Sequence, residues 1–438
     1  MSKRGFNTRA VGSGELKDKK YGNVVTPIFQ NATFLYPNYT DGSTKDPNTG
    51  DSYIYSRWGN PTVTALEEKY ASLEGAAQAL SFSTGMAGIT SLMMSLVGKK
   101  KRVLSIMDLY GQTLSFFKNK LPKYGLDVDI ISIDKLNSID FDVTKYDVIY
   151  AESITNPSMK VLDLKTIGEL CNKNGITLIV DATFCSPYNQ NPLDLGADYV
   201  VHSGTKYLNG HSDTMSGFVS SNKDLSDIFD MRKNLGATLD AFQAYLIQRG
   251  MKTLGLRMKQ HNSNGMEVAQ FLNENPHVIS VNYPGLKDDR YHSIAEKNMR
   301  GFGGMLSFRV KGGLKGARNF MEGLDSISPA PSLGGVESLA TLPIDTSHGS
   351  VSQDDRKVME VTEDMVRLSV GIEDPEDLKE ELEIFEENEY LKDVYNIYTE
   401  AIKRGIFFNQ GRIIGGNGSK EEMLNEAIKQ ILQIFHIQ

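Results

Sequence analysis

Residues 176–211 read ITLIVDATFCSPYNQNPLDLGADYVVHSGTKYLNGH, and the order of residue types in this stretch decides the fold. A β-branched run ends at Asp181, and a second apolar run leads into Ser203, Thr205 and Lys206. In open α/β sheets, ligands bind at the carboxyl ends of the parallel strands. An acidic side chain and a lysine at two such ends therefore predict a binding site at this edge of a sheet.

The same alternation of apolar runs and helical segments extends on both sides of this stretch, from about residue 60 to residue 220. It is typical of a large, mostly parallel sheet with right-handed crossover helices on both faces. We predict strands at 102–107, 128–132, 147–151, 176–181, 197–203 and 217–220. We predict helices at 64–73, 85–96, 112–121 and 164–174.

Changes in pattern divide the rest of the chain. We predict an N-terminal arm that contacts a neighbouring subunit (1–58), a larger α/β domain (59–255), a smaller C-terminal α+β domain (256–390) and a helical extension (391–438). The prediction of the smaller domain is based on apolar runs at 278–283, 304–311 and 365–371 and on a helix near 314–323. The prediction of a helical extension is based on a capping box, Ser419-x-x-Glu422.

Composition and charge narrow the class of protein. The chain has 438 residues, of which 40% are hydrophobic and 23% charged, as in ordinary globular proteins. Its 47 basic and 55 acidic residues give a net charge of −8, which disfavours a nucleic-acid partner. No run approaches the length of a membrane-spanning helix, and the N-terminal sequence lacks an apolar signal segment. We therefore expect no membrane association and a cytoplasmic location.

Cysteine and histidine usage predicts neither a disulfide framework nor a metal site. The two cysteines, Cys171 and Cys185, lack metal-ligand spacing, which favours a reducing compartment. His202 and His211 flank the lysine turn, and we interpret them as packing and hydrogen-bonding residues.

Lys206 has two interpretations from the residues alone. An isolated lysine is most often a solvated surface residue, but a lysine beside hydroxyls at a strand end is also a candidate Schiff-base lysine. Asp181 favours the second, because pyridoxal phosphate needs a carboxylate at its ring nitrogen. Residues 82–88, FSTGMAG, open an apolar helical run and are a weak candidate for a phosphate site at a helix N-terminus. Tyr110 follows a strand and either packs in the core or stacks on a cofactor ring.

With these features and further motifs, the chain resembles the cystathionine γ-synthase/γ-lyase family of Cys/Met-metabolism enzymes, over about residues 5–385. The motifs follow the family order: YSRWGNPT at 55–62, STGMA at 83–87, YGQT at 110–113, ESITNP at 152–157, DATF at 181–184, ADYVVHSGTKYLNGH at 197–211, SLGG at 332–335 and VRLSVGIED at 366–374. The resemblance implies the aspartate-aminotransferase-like fold type I, an α/β fold with a smaller α+β C-terminal domain. It also implies pyridoxal 5'-phosphate as cofactor and a small amino acid as substrate.

The resemblance further assigns the residues that would handle the cofactor. Lys206 would hold it covalently and move protons, Asp181 would pair with its ring nitrogen, and Tyr110 would stack on the ring and act as acid or base at the leaving group. Its phosphate would be bound by one group of residues from the same subunit and by a second from a neighbouring subunit. These are Gly85, Met86, Ser203 and Thr205 in the first group and Tyr55 and Arg57 in the second.

Residues on the substrate side and the assembly follow from the same resemblance. Arg367 would bind the substrate carboxylate with help from Ser332, and Asn156 would touch both the cofactor's 3′ oxygen and the substrate. Glu152 would lie nearby, with a structural role equally open. Because the site would need residues of two subunits, we expect a homo-oligomer, a dimer that pairs further into a tetramer.

Three departures from the family pattern bear on the substrate. Ala182 stands where the family often has Asn, and Gln112 stands where many members have Gly and several microbial methionine γ-lyases have Cys. Pro331 precedes Ser332 at a position where enzymes acting on cystathionine often carry Glu to meet the distal ammonium. Pro331 therefore favours a substrate with a small or uncharged distal end, such as methionine, homocysteine or an O-acylhomoserine.

The predicted reaction is γ-elimination of the methionine or cystathionine γ-lyase type, giving 2-oxobutanoate, ammonia and a thiol. Two alternatives stay open at this point. One is γ-replacement, of the cystathionine γ-synthase or O-acylhomoserine sulfhydrylase type. The other is a non-catalytic scaffold that retains the fold.

Overall fold

The computed structural model describes residues 4–35, 53–349 and 351–383, together with the backbone of 407–409 and 412–415. The chain separates into two units, Met1–Glu381 and Leu382–Gln438. The first unit contains a seven-stranded and a five-stranded sheet with their helices. The boundaries of the larger and smaller domains within it remain a prediction.

The seven-stranded sheet follows the apolar runs of the sequence closely. Its strands are Gln78–Phe82 (β1), Arg102–Ile106 (β2), Asp127–Ile131 (β3), Val148–Glu152 (β4), Thr177–Asp181 (β5), Tyr199–Ser203 (β6) and Gly217–Ser221 (β7). They lie in the order β1-β7-β6-β5-β4-β2-β3. Strands β2 to β6 are parallel to one another, whereas β7 is antiparallel to both β6 and β1. The predicted mostly parallel sheet is therefore confirmed.

The sequence analysis missed β1, which has a physical reason. The strand reads QALSF and contains no β-branched residue, so its local propensity for a strand is low. It lies at the edge of the sheet and forms through its pairing with β7. By contrast β4, in the middle of the sheet, is buried along its whole length and has the β-branched and aromatic residues that such a position favours.

Helices cover the seven-stranded sheet and connect it to the second sheet. Several of them begin at a capping side chain, as at Thr84 before α3. Their bounds are Phe6–Gly12 (α1), Pro61–Glu74 (α2), Gly85–Ser95 (α3), Gly111–Asn119 (α4), Ile133–Ser138 (α5), Leu164–Asn174 (α6), Ser186–Asn189 (α7), Ser226–Leu235 (α8), Ala241–Met251 (α9), Leu254–Glu274 (α10), His292–Asn298 (α11), Gly313–Glu322 (α12), Gln353–Val358 (α13) and Pro375–Leu382 (α14). Short 3₁₀ helices lie at Leu121–Tyr124, Val143–Lys145 and Pro192–Leu195. Over the described residues, no helix combines the length and apolar character needed to cross a membrane.

The second sheet belongs to the region predicted as α+β. Its strands are Val278–Asn282 (β8), Met305–Val310 (β9), Ser328–Pro329 (β10), Leu339–Thr341 (β11) and Met365–Ser369 (β12). Strand β12 lies in the middle, antiparallel to β9 on one side and to β11 on the other. This pairing buries β12 completely. The sequence analysis missed β10 and β11, which are too short to show a periodicity of their own.

In the second unit, Phe407–Asn409 (β13) and Arg412–Gly415 (β14) form an antiparallel pair. These strands lie inside the region 391–438 that was predicted to be a helical extension. The remainder of that region, including the helix predicted after Ser419, lies outside the described residues.

Candidate active site

A cavity of about 780 Å³ lies at the carboxyl ends of β4, β5 and β6, where the sequence predicted a binding site. Its other side is formed by residues of the second sheet and its loops. All predicted site residues except Tyr55 and Arg57 line it: Gly85, Met86, Tyr110, Asn156, Asp181, Ser203, Thr205, Lys206, Ser332 and Arg367. Residues separated by up to 283 positions in the chain thus meet in one cavity, since Thr84 and Arg367 both belong to it.

Lys206 lies in a tight turn that follows β6. The turn is closed by backbone hydrogen bonds from Lys206 N to Ser203 O at 3.2 Å and from Gly210 N to Lys206 O at 2.8 Å. The Lys206 Nζ donates to Ser332 Oγ at 2.8 Å. Burial, with a smaller effect from the Arg367 cation, lowers the pKa of Lys206 to about 8. About one tenth of its amine is therefore neutral and nucleophilic at pH 7, far more than for a lysine with an ordinary pKa.

Asp181 is the last residue of β5, and hydrogen bonds hold its carboxylate at the cavity wall. Asp181 Oδ1 accepts from Thr183 N at 3.0 Å and from Thr183 Oγ1 at 2.5 Å, and Tyr150 OH lies 3.5 Å from Oδ2. Burial raises the pKa of Asp181, while the bonds from Thr183 act in the opposite direction. A buried carboxylate of this kind is stabilised by a cationic partner.

Glu152 lies beside Asp181, because β4 and β5 pair these two residues in register. Glu152 Oε1 accepts from the backbone N of Tyr110 at 2.7 Å. Burial and the adjacent Asp181 raise the pKa of Glu152 well above its usual range. Glu152 thereby fixes the start of α4, where the Tyr110 side chain lines the cavity and keeps 41% of its surface exposed.

The N-terminus of α3 forms the third part of the wall. The Thr84 hydroxyl caps the helix by accepting from Ala87 N at 3.0 Å. At Gly85 a Cβ would lie 3.0 Å from the Cβ of Ser203, so glycine allows the backbone to approach β6 closely. Free N–H groups and the helix dipole make such a terminus a site for an anion. The Thr205 hydroxyl lines the cavity as predicted, and it also accepts from Ser216 N at 3.0 Å within the turn.

Arg367 enters the cavity from the middle of β12. Its Nη1 donates to Asn156 Oδ1 at 3.1 Å, and its Nη2 donates to Ser332 O at 2.9 Å. Its Nε is buried without a hydrogen-bond partner among the described residues. Burial lowers the pKa of Arg367 to about 10, so it remains a cation at neutral pH. A buried guanidinium with a spare donor suits a carboxylate ligand.

Tyr55 and Arg57 lie away from this cavity in the same chain. Tyr55 is 40% exposed, and the Arg57 Cζ lies 5.6 Å from the centre of its ring. Arg57 Nη1 donates to Lys233 O at 3.1 Å, and Arg57 lines a separate cavity of about 450 Å³. The structure therefore does not bring these two residues to the other predicted site residues of their own chain.

The histidines that flank the lysine turn are engaged in hydrogen bonds. His202 Nε2 lies 3.0 Å from Glu74 Oε2, and His211 Nδ1 lies 2.7 Å from Asn209 O. In the part of the chain that the structure describes, no group of three or more His, Cys, Asp or Glu is arranged to hold a metal ion. Burial raises the pKa of each thiol, Cys171 and Cys185, to about 12, so neither is a reactive nucleophile.

Sequence reasoning missed several residues of the cavity wall. Thr183 was part of a quoted motif, but its double role was not anticipated: besides binding Asp181, its Oγ1 accepts from Ser203 N at 2.9 Å. Tyr150 could have been found, since it precedes Glu152 by two positions on the strand next to Asp181. The other lining residues fall into two groups. Thr84, Thr113, Ile154, Phe184 and Leu333 lie within quoted motifs but were given no role, and no local pattern indicates Ile89, Met215, Thr346 and Ser347.

A family model for Cys/Met metabolism PLP-dependent enzymes matches residues 7–385. The chain belongs to this family. It is therefore a pyridoxal-phosphate-dependent enzyme, which argues against the alternative of a non-catalytic scaffold. The resemblance noted from the motifs and the predicted fold type are confirmed.

Known members of the family cover most of this chain. It is 39% identical to an L-methionine gamma-lyase of Fusobacterium nucleatum subsp. polymorphum over 386 residues, 87% of this chain and 98% of that protein. It is 40% identical to a cystathionine gamma-lyase of Dictyostelium discoideum over 379 residues, 85% and 95% of the two chains. A solved structure of cystathionine gamma synthase from Xanthomonas oryzae pv. oryzae, in complex with aminoacrylate and cysteine, matches with a TM-score of 0.81 and 32% identity, covering 88% and 99% of the two chains.

The residues of the cavity fit pyridoxal phosphate. Lys206 offers an amine of lowered pKa, and the buried Asp181 offers the carboxylate that a protonated ring nitrogen requires. Gly85 packs closely against Ser203 at the cavity wall, where the first turn of α3 offers N–H groups and a helix dipole to a phosphate. The unpaired Nε of Arg367 is a further buried donor in the lining, and it suits the carboxylate of an amino acid.

Proposed function

We propose that this enzyme cleaves the Cγ–S bond of methionine by γ-elimination, giving 2-oxobutanoate, ammonia and methanethiol. The observation that supports this choice is the chemistry of the cavity rim. Of the described residues that line the cavity, the carboxylates are Asp181 and Glu152, both on adjacent strand ends at the inner wall. The rest of the lining includes the apolar and hydroxyl side chains of Met215, Pro331, Leu333 and Thr346, which we call the rim. Such a rim suits an uncharged thioether better than the distal ammonium of cystathionine.

In this proposal the substrate carboxylate binds the buried Arg367, whose position is fixed by Asn156 and by the carbonyl of Ser332. Ser332 also accepts a hydrogen bond from Lys206 through its hydroxyl, so one residue orients both the amine and the guanidinium. Ser332 adopts this position with a φ of 107°, which a non-glycine residue rarely does. The substrate Cα–H bond is thereby aimed at the Lys206 Nζ.

Pyridoxal phosphate, when bound, supplies the electron sink that acidifies the Cα–H bond of the substrate. Lys206 Nζ takes the Cα proton, a role for which a pKa near the working pH is favourable. The Asp181 carboxylate keeps a positive charge at the ring nitrogen. A Cβ proton is also removed, so that a Cβ–Cγ double bond forms as the Cγ–S bond breaks, and Tyr110, at the start of α4, donates a proton to the departing sulfur. Water then releases the remaining four-carbon product as 2-oxobutanoate and ammonia.

Product analysis with the holoenzyme tests this proposal. We expect methionine alone to release 2-oxobutanoate and methanethiol without any added thiol. If 2-oxobutanoate does not form, and a thioether appears only when O-acetylhomoserine is supplied with a thiol, or homocysteine only when it is supplied with sulfide, the reaction is γ-replacement instead. The variant Pro331→Glu should raise the kcat/KM for cystathionine relative to that for methionine by about tenfold, because it adds a carboxylate at the rim that can meet the distal ammonium of cystathionine.

We also propose that Tyr55 and Arg57 complete the cavity of a neighbouring subunit in a homodimer. The proposal is supported by their distance from the other site residues and by their exposure. Separately inactive Arg57→Ala and Lys206→Ala proteins should regain up to about one quarter of the activity after dissociation and mixing, since some dimers then contain one intact site. No regain of activity in verified mixed dimers would refute a shared site.

A further inference from the structure

Two charged residues that do not line the cavity are buried directly behind it. Lys160 Nζ lies 2.8 Å from Asp108 Oδ1, and each side chain is only 1% exposed. The chemistry described above uses neither residue. A buried ion pair costs desolvation energy that its attraction often fails to offset, so stability alone is a weak explanation for this pair.

Each partner belongs to a loop that carries a residue of the active site. Asp108 precedes Tyr110 by two positions, and its Oδ2 accepts from Ile133 N at 3.2 Å. Lys160 closes the loop that contains Asn156: its backbone N donates to Thr155 Oγ1 at 3.1 Å, and its carbonyl accepts from Thr155 N at 2.9 Å. The ion pair therefore joins the loop after β2 to the loop after β4.

The short segment from Asp108 to Gly111 is held by polar contacts from several directions. Tyr110 N donates to Glu152, as described above, and His348 Nε2 lies 3.3 Å from Leu109 O. The half-exposed ring of Tyr110 projects from this segment, so its position depends on how firmly the backbone is held. The Lys160–Asp108 pair differs from the other contacts of this segment because both of its partners are charged side chains.

We propose that the Lys160–Asp108 ion pair is a positioning element that fixes the backbone of Tyr110 for proton transfer to the leaving group. A second carboxylate also contacts Lys160. Glu360, on the segment after α13, has its Oε2 3.6 Å from Lys160 Nζ. Lys160 belongs to the loop that carries Asn156. It thus connects that loop to the loop that carries Tyr110 and to a loop near the second sheet. The catalytic part of this inference rests on the role proposed for Tyr110.

The test compares the holoenzymes of wild type, Lys160→Met and the double variant Asp108→Asn/Lys160→Met. In Lys160→Met we expect kcat for methionine to fall by about 10- to 100-fold, the loss typical of a misplaced catalytic group. KM should change by less than about threefold, because Arg367 keeps its second anchor at Ser332 O. Hydrogen–deuterium exchange in peptides covering residues 108–119 should increase, while the bound cofactor absorbance is retained.

The double variant separates positioning from simple stabilisation. It contains no uncompensated buried charge from this pair, so its thermal midpoint should recover toward that of wild type. Its kcat should stay low and exchange in 108–119 should stay fast, because the tie is still missing. If Lys160→Met fails to fold, the double variant alone carries the test.

Lys69→Met is the matched control. Lys69 is also fully buried, with its Nζ 3.4 Å from Glu15 Oε1 and 2.8 Å from Ala10 O, but it lies on α2 outside the cavity wall. It should lower the thermal midpoint without changing kcat per bound cofactor or exchange in 108–119.

A wild-type kcat in folded Lys160→Met, or recovery of kcat in the double variant, would overturn the inference. So would unchanged exchange in 108–119. If wild type releases no 2-oxobutanoate from methionine, the proposed function fails, but the exchange measurement still judges whether the pair holds the Tyr110 segment.

Discussion

The cavity has two walls that come from different sheets and are built in different ways. On the wall of the seven-stranded sheet, Asp181 ends a strand and Lys206 lies in the turn after the next one. On the opposite wall, Arg367 lies within β12, paired with Ser307 on one side and Thr341 on the other. In the proposed mechanism, the proton-transferring Lys206 thus lies just after a strand end, whereas Arg367, which is proposed to bind the substrate carboxylate, lies inside a sheet.

Burial lowers the pKa of one basic side chain on each wall, with different consequences. The pKa of Lys206 falls to about 8, within reach of the working pH, so its charge can change during a reaction. The pKa of Arg367 falls to about 10, which leaves the guanidinium charged throughout. The same physical cause therefore produces a titrating wall and a permanently cationic wall.

The largest expected effect is on the titrating wall. Lys206→Ala should lower kcat for methionine by at least about 10³-fold, because it removes both the covalent attachment point and the base. The absorbance of covalently held cofactor should be lost even with added pyridoxal phosphate. Spectroscopy and steady-state kinetics check this, and a variant that keeps the absorbance would remove Lys206 from the proposed role.

A change on the cationic wall should act mainly on binding. Arg367→Met should raise KM for methionine by about 30- to 300-fold, the loss expected for a buried charge-assisted bond to a carboxylate. Cofactor content should be unchanged, since Lys206 and Asp181 are on the other wall. A fall in kcat with KM unaltered would show that the two walls do not divide the work in this way.

The smallest expected effect is a shift in pH dependence that couples the walls. After removal of the cofactor, the rate of its covalent reattachment should rise about tenfold per pH unit below pH 8 and level off above it, because only the neutral Lys206 amine reacts. Since the Arg367 cation contributes to the lowered pKa, Arg367→Met should move the plateau to higher pH. Rapid-mixing absorbance measures both profiles, and coinciding profiles would contradict the coupling.

The sequence predicted the titrating wall better than the cationic one. Asp181 and Lys206 are recognisable because their chemical types stand at the ends of β-branched runs, where a parallel sheet places its ligands. Arg367 sits in an apolar strand without such a signal, and only the resemblance to a family pointed to it. Apart from β1, the strands of five or six residues were predicted close to their observed bounds, while the two shortest strands of the second sheet, β10 and β11, were missed.

The contacts that hold the site together were not predictable from local patterns. The hydrogen bond that Ser203 N donates to Thr183 Oγ1 and the pair of Lys160 with Asp108 join residues 20 and 52 positions apart. Their partners are decided by the register of neighbouring strands and by loop packing. Thr346 and Ser347 reach the cavity in the same way, from a loop without periodicity.

The crowding of backbone around Lys206 also restricts how the enzyme's substrate range can evolve. A side chain at Gly217 would collide with the carbonyl oxygen of Thr84, and one at Gly85 would press on Ser203. Libraries randomised at these positions should therefore return almost only glycine. Substitutions at Pro331, Met215 and Thr346 do not alter that crowded region. We therefore expect differences in substrate specificity to arise from substitutions at the rim, while the sequence of the lysine turn stays constant.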